Sequence, residues 1–211
     1  MVGWDIASPE GIGKHRVETL TDGVFAIVMT LLVLEIVVPH LSESNVSNEL
    51  PKELLKLWPV ILSYVTSFII LGFLWITHHY EFFYIKRVNR PLLWITIFYL
   101  MSIAFVPFST SLLGRYGDQQ ISVIIYGTNI IIIGFWNSLQ WWYATKKHRL
   151  VENDLDPAFI KTMARRYFLV PVFYLIAVVI SFASTHASII LFILIPLIYL
   201  VPARKNKFWF F

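Results

Sequence analysis

Six apolar runs, each bounded by charged or turn-forming residues, organise the chain: about residues 19–38, 57–80, 92–113, 121–143, 167–184 and 187–202. Most of them approach the ~20 residues that an α-helix needs to cross a hydrocarbon core. The pattern therefore predicts an all-α integral membrane protein of six transmembrane helices, forming a single transmembrane domain over residues 1–211 with no repeat of fixed period. The fifth and sixth runs are short and separated only by Ser184-Thr185-His186, which predicts a tight helical hairpin. Pro107, Pro171 and Pro196 fall inside the third, fifth and sixth runs, where a missing N–H and a fixed φ kink or bound a helix.

The first run is the least uniform. It enters from a polar flank, Lys14-His15-Arg16-Val17-Glu18, carries Asp22 just inside that end and Glu35 just before the other. Ionisable groups at such depths need partners or water. Advancing 100° per residue, Leu20, Val24, Ile27, Leu31, Leu34 and Val38 fall on one narrow stripe flanked by Gly23 and Thr30, whereas Glu18, Asp22, Phe25 and Met29 fall opposite. Glu35 lies about 80° off the stripe by the same geometry. Periodicity alone leaves two readings open: a stripe facing lipid or a neighbouring helix, as most do, or a hydrophobic constriction of the kind that gates a channel by dewetting. In the second reading Thr30, one turn outward from Ile27, supplies a hydroxyl at the level where an ion needs one.

Composition narrows the class. Of 211 residues, 57% are hydrophobic and only 14% charged, and a mean hydropathy of +0.68 lies outside the soluble globular range. The absence of cysteine excludes disulfides, thiolate metal sites and a cysteine nucleophile. A pI of 9.3 reads as loop charge that sets orientation, not as a nucleic-acid surface. With the N-terminus inside, fourteen of the 17 basic residues lie in cytoplasmic segments (among them Lys14, Arg16, Arg87, Arg149, Arg166, Arg204, Lys205 and Lys207), and only Lys52, Lys56 and Arg115 lie outside. The positive-inside rule then places both termini in the cytoplasm. Trp58, Trp94, Trp141, Trp142 and Trp209 sit near run ends, as an interfacial aromatic belt requires. The first run is too long for a signal peptide, contains Asp22 and lacks a small-x-small cleavage site, so it reads as mature sequence. The segment from His40 to Lys56, with Glu43, Glu49 and Glu53, reads as a solvated outer loop in preference to a cation-attracting vestibule.

Arg16-x-x-x-Leu20-Thr21-Asp22-Gly23-x-Phe25-Ala26-Ile27 closely resembles the Arg-x-x-x-Phe-Ser-Asp signature that opens the first helix of the transmembrane protein 175 family of potassium channels, and Trp75-Ile76-Thr77-His78-His79 resembles that family's Trp-x-x-His-His segment. Length and span number match the six-span bacterial and archaeal branch over essentially the whole chain. The departure is Leu20-Thr21 for Phe-Ser, which keeps the hydroxyl and loses an aromatic ring. The resemblance implies a multi-pass protein of the cell membrane. It implies a homotetramer in which the first helix of each subunit lines a central pore, passing potassium ions and possible accompanying monovalent cations or protons. By position relative to Asp22, Ile27 corresponds to the main constriction, Leu31 and Leu34 to further apolar rings, and Thr30 to the layer implicated in selectivity. Arg16, Leu20, Thr21 and Asp22 then read as a structural network. Asp22 points away from the pore toward where Trp75, His78 and His79 meet it.

Other chemistries find little support. There is no Thr-Val-Gly-Tyr-Gly filter, so any potassium selectivity comes from side chains and constriction size and is modest. His78 and His79 are adjacent and diverge by about 100° on a helix, and the remaining histidines are scattered, so neither a metal nor a cofactor is expected. No phosphate-binding loop, Gly-x-Ser-x-Gly or His-Glu-x-x-His motif points to an enzyme. The competing readings are a proton-coupled secondary transporter or proton-conducting channel using Asp22, Glu35 and His78, and a membrane scaffold that transports nothing.

Overall fold

A computed structural model describes residues 13–41 and 46–200. The helices are α1 (Lys14–Leu34), α2 (Val46–Lys56), α3 (Trp58–Tyr84), α4 (Arg90–Ala104), α5 (Val106–Tyr116), α6 (Gln120–Thr145), α7 (Pro157–Ile180) and α8 (Thr185–Leu200). Five stretches are long and apolar enough to cross a membrane: α1, α3, α4 with α5, α6 with its following turn, and α7; α8 is a shorter apolar helix. Their buried faces share one core, to which α1 gives Phe25, Val28 and Leu32, α3 gives Leu71 and Leu74, α4 gives Tyr99, and α6 gives Tyr126 and Ile130.

The boundaries depart from the apolar runs where polar residues extend a helix or backbone chemistry ends one. α1 starts at Lys14, not 19, because Lys14 and Glu18 pair across one turn at 3.6 Å and Thr19 Oγ1 donates to His15 O. It ends at Leu34, not 38, in a tightened turn (Glu35 N–H to Leu32 O, 3.3 Å; Ile36 N–H to Val33 O, 3.1 Å) ahead of Val37-Val38-Pro39. α7 begins at Pro157 instead of 167: Asp156 caps it by accepting from Ala158 N–H at 2.9 Å, and Pro157 occupies the first turn. Lys161, Arg165 and Arg166 thus ride on a helix. The sixth run extends to 202, of which residues 201 and 202 lie outside the described residues, as do Glu43, Arg204, Lys205, Lys207 and Trp209.

The third run is broken at Phe105, two residues before Pro107, into α4 and α5. Asn129 of α6 bridges the break. Its Nδ2 donates to Ser102 O at 2.9 Å and its Oδ1 accepts from Ser109 Oγ at 2.9 Å, so the freed backbone and side-chain groups are satisfied inside the bundle. Pro171 and Pro196 remain within α7 and α8. Pro171 is accommodated by Gly134, where an added Cβ would lie 2.9 Å from the proline Cδ, so the α6–α7 approach requires a residue without a side chain. The hairpin turn closes as the short connection predicts, with Ala183 and Ser184 N–H both bonded to Ile180 O.

Two further expectations are corrected. The segment after His40 is not all loop: Val46–Lys56 is helical, although none of its residues is buried. Trp141 is not in an interfacial belt. It is fully buried, packs with Met163 and Tyr167, and donates through Nε1 to Ile160 O at 3.2 Å. Trp58, Trp94 and Trp142 are exposed, as belt residues are.

Candidate pore face and its supporting network

α1 has two unlike sides. Val17, Thr21, Phe25, Val28 and Leu32 are buried against the bundle. Most of the stripe predicted from periodicity is the opposite, uncovered side: Ile27 is 61% exposed, Leu31 42% and Leu34 69%, with Leu20 also exposed; Val24 instead is half-buried and packs against the core, and Val38 lies beyond the end of the helix. Thr30 belongs to this side. Its hydroxyl donates to Ile27 O at 2.8 Å, with Ala26 O at 3.1 Å, so its proton turns back to the helix and the oxygen lone pairs remain available outward.

Asp22 sits on the flank between the two sides. Its carboxylate accepts from Trp75 Nε1 at 2.8 Å, a charge-assisted bond from α1 to α3, and Trp75 stacks on His79 with centroids 6.1 Å apart. Of the predicted network, Asp22, Trp75 and His79 therefore meet. His78 does not join them. It turns into the bundle, stacked on Phe82 at 4.4 Å and on Tyr99 at 5.6 Å, because successive helical residues diverge by about 100°. Thr21 is buried beside Phe25 with its hydroxyl unpartnered, and Arg16 is exposed at the start of α1 and makes no ion pair with Asp22 among the described residues.

At the opposite end of α1, Glu35 faces Arg115 of α5. The guanidinium Nη2 donates to Glu35 O at 3.2 Å and lies 3.9 Å from its Oε2, binding both the C-cap carbonyl of α1 and the side chain. Asp22, Glu35 and His78 thus occupy three separate environments, and no hydrogen bond or ion pair joins them among the described residues.

The sequence reading missed Glu81. It lies one residue past the expected end of the second run, yet it is fully buried and accepts from Asn137 Nδ2 at 2.9 Å. The available signal was a carboxyl three residues after His78, hence on the same face of the helix. No group of three or more His, Asp or Glu suited to a metal occurs among the described residues.

These helices, with an α1 that is packed on one side and bare on the other, define a multi-pass, all-helical membrane protein. Residues 16–107 match the family described as endosomal/lysosomal potassium channel TMEM175. A potassium channel of Chamaesiphon minutus is 33% identical over 87% of this chain and 92% of its own length; one of Streptomyces collinus is 30% identical over 82% and 85%. The crystal structure of a lysosomal potassium-selective channel TMEM175 homologue from Chamaesiphon minutus superposes with a TM-score of 0.77 at 30% identity, covering 88% of this chain and 95% of that one. The chain belongs to the TMEM175 family, an ion-channel family and not an enzyme family.

Proposed function

We propose that the chain is a modestly selective potassium channel of the cell membrane, a homotetramer whose four α1 helices surround a central pore, with both termini in the cytoplasm. Ile27 forms the narrowest apolar ring, Leu31 and Leu34 form further rings, and Thr30 gives the cation its oxygen ligands. The observation that carries this reading is the bare stripe. An aliphatic face bounded by a packed face on the same helix is what a dewetting constriction requires, and the hydroxyl in that face has its proton committed to its own backbone. Asp22 belongs to the brace behind the pore wall: Trp75 holds it from α3, and it is not a permeation ligand. Membership of a family whose relatives are potassium channels supports the choice of ion.

The test is the reversal potential of purified protein in bilayers under opposed potassium and sodium gradients. A reversal displaced toward the potassium equilibrium potential, with current rising with driving force, is expected. Flux that saturates with substrate would establish a carrier, a reversal following the proton gradient a proton channel, and no cation flux at all a scaffold. Each of the three overturns the proposal.

A further inference from the structure

At the end of the bundle where α3 and α6 finish and α4 begins, three exposed aromatic rings each have a cation three or four residues farther toward that end: Phe83 with Lys86, Trp142 with Lys146, and Trp94 with Arg90. Lys86 Nζ lies 5.0 Å from the centre of the Phe83 ring and Lys146 Nζ lies 4.4 Å from that of Trp142. Exposed rings at helix ends mark the edge of the hydrocarbon core, so the cations beyond them reach headgroup level. The backbone joining these helices is tightly tied. Lys86 and Arg87 N–H both donate to Leu150 O, and Leu150 N–H donates to Ala144 O. The turn between carries Lys147 and His148 at φ 56° and 51°, consecutive left-handed residues without a glycine, so its shape is imposed by these contacts and not by local preference.

Three arginines gather at one corner of this end. Arg87 Nη2 donates to Arg149 O at 3.4 Å, and the Arg149 guanidinium lies 4.2 Å from the centre of the Tyr143 ring. The Tyr143 hydroxyl accepts from Asn89 Nδ2 at 3.0 Å, and Asn89 is the N-cap residue immediately before Arg90. All three arginines are exposed, and among the described residues none of them forms a salt bridge; nor do Lys146 and Lys147. The carboxylates of the same connection are engaged elsewhere. Glu152 is 3.8 Å from Lys86, Asp156 caps α7, and both line a separate cavity with Asp154. The corner is therefore a concentration of cationic donors without a carboxylate partner among the described residues, and arginine forks match the oxygens of a phosphate.

We propose that this corner binds the phosphate headgroup of an anionic membrane lipid, with Arg87, Arg90 and Arg149 as its ligands and Lys146 and Lys147 adding to the attraction. The aromatic rings favour a lipid over a free anion. Phe83, Trp94 and Trp142 set the donors at the depth where a headgroup phosphate lies and give its acyl chains an apolar wall. The corner rests on an apolar layer of Phe82, Ile85, Leu92, Ala144 and Leu150, which also receives Val17 from the start of α1. A bound headgroup thus steadies the base of α1. Its consequence for a pore rests on the channel reading; the lipid site does not.

The test is thermal melting of the purified protein in a neutral detergent, titrated with short-chain phosphatidylglycerol, with phosphatidylcholine of the same chain length, or with inorganic phosphate at matched concentration. Phosphatidylglycerol should raise the melting temperature saturably, and Arg87→Gln/Arg149→Gln should raise its half-saturating concentration at least about tenfold. No saturable shift overturns the proposal. An equal shift with phosphatidylcholine overturns the charge argument, and an equal shift with inorganic phosphate overturns the lipid as the source. Lys161→Gln/Arg165→Gln removes as much charge from exposed positions of α7 at the same end. If it weakens the response as much as the arginine pair does, net charge explains the binding and the corner is refuted. Should the neutralised arginine pair not fold, Arg87→Lys/Arg149→Lys decides: it keeps the charge and loses the planar fork, so half-saturation should rise about threefold or more, and an unmoved value overturns the site. Melting is read without current, so failure of the lipid site and failure of the channel are distinguishable.

Discussion

Ile27 and Phe25 are two residues apart on α1, and the structure predicts opposite consequences for changing them. Phe25 is 1% exposed and packs on Tyr99, whereas Ile27 is 61% exposed. Truncating a buried phenylalanine to alanine leaves a cavity and costs roughly 3–5 kcal/mol, and in a bilayer that loss falls on van der Waals packing between helices. Only about two-fifths of the Ile27 side chain is covered, so Ile27→Asn forfeits about 1 kcal/mol of the ~2–3 that full burial gives. With ~2–4 °C per kcal/mol for a chain of this size, Phe25→Ala should lower the melting temperature in detergent by about 10 °C and Ile27→Asn by less than about 4 °C. Size-exclusion chromatography should show tetramer retained in Ile27→Asn, and bilayer recordings should show its single-channel conductance raised, because the amide wets the narrowest ring. Loss of tetramer in Ile27→Asn would mean that its side chain is packed between subunits; unchanged conductance would mean that the bottleneck lies elsewhere. Either result refutes the assignment.

Four other changes probe the remaining parts. Trp75→Phe keeps the ring and removes the donor to Asp22; it should cost about 1.5–3 kcal/mol, lower the yield of folded tetramer, and couple non-additively with Asp22→Asn in a double-mutant cycle of melting temperatures. Thr30→Val preserves shape and deletes the outward oxygen, so the potassium-to-sodium permeability ratio from reversal potentials should fall while Thr30→Ser retains it. Gly134→Ala pushes a methyl group into the rigid Pro171 ring and should lower stability by about 1–3 kcal/mol in thermal melts. Arg115→Gln frees Glu35 at the end of α1; cation conductance should rise at low ionic strength, and the difference should vanish in high salt, where the mouth charge is screened.

Which parts of this were readable in the sequence follows from what each signal measures. The bare and buried sides of α1 were legible because 100° periodicity reports radial direction, and Phe25 and Ile27 fall where it puts them. The break near Pro107 was legible because proline lacks a donor. The first half of α7 was not, because Lys161, Arg165 and Arg166 suppress hydropathy without opposing helix formation. Trp141 was misplaced because nearness to a run's end gives depth along a helix and says nothing about which way the ring turns. Glu81 was missed for a related reason: its partner Asn137 is 56 positions away, and no local pattern announces a contact of that range.

The two kinds of polar residue around α1 follow different rules. Asp22 and Glu35 lie on the exposed flank or end of the helix, and each has a dedicated donor from another helix, Trp75 or Arg115, which fixes α1 at two points about three and a half turns apart. Thr21, His78 and Tyr99 lie behind the helix and lack such partners. A helix held at two points and backed by a soft polar layer can shift its middle without losing its ends. Ile27 and Thr30 are in that middle, so in the channel proposed above the same arrangement that steadies the wall leaves its narrowest level the most responsive to what happens behind it.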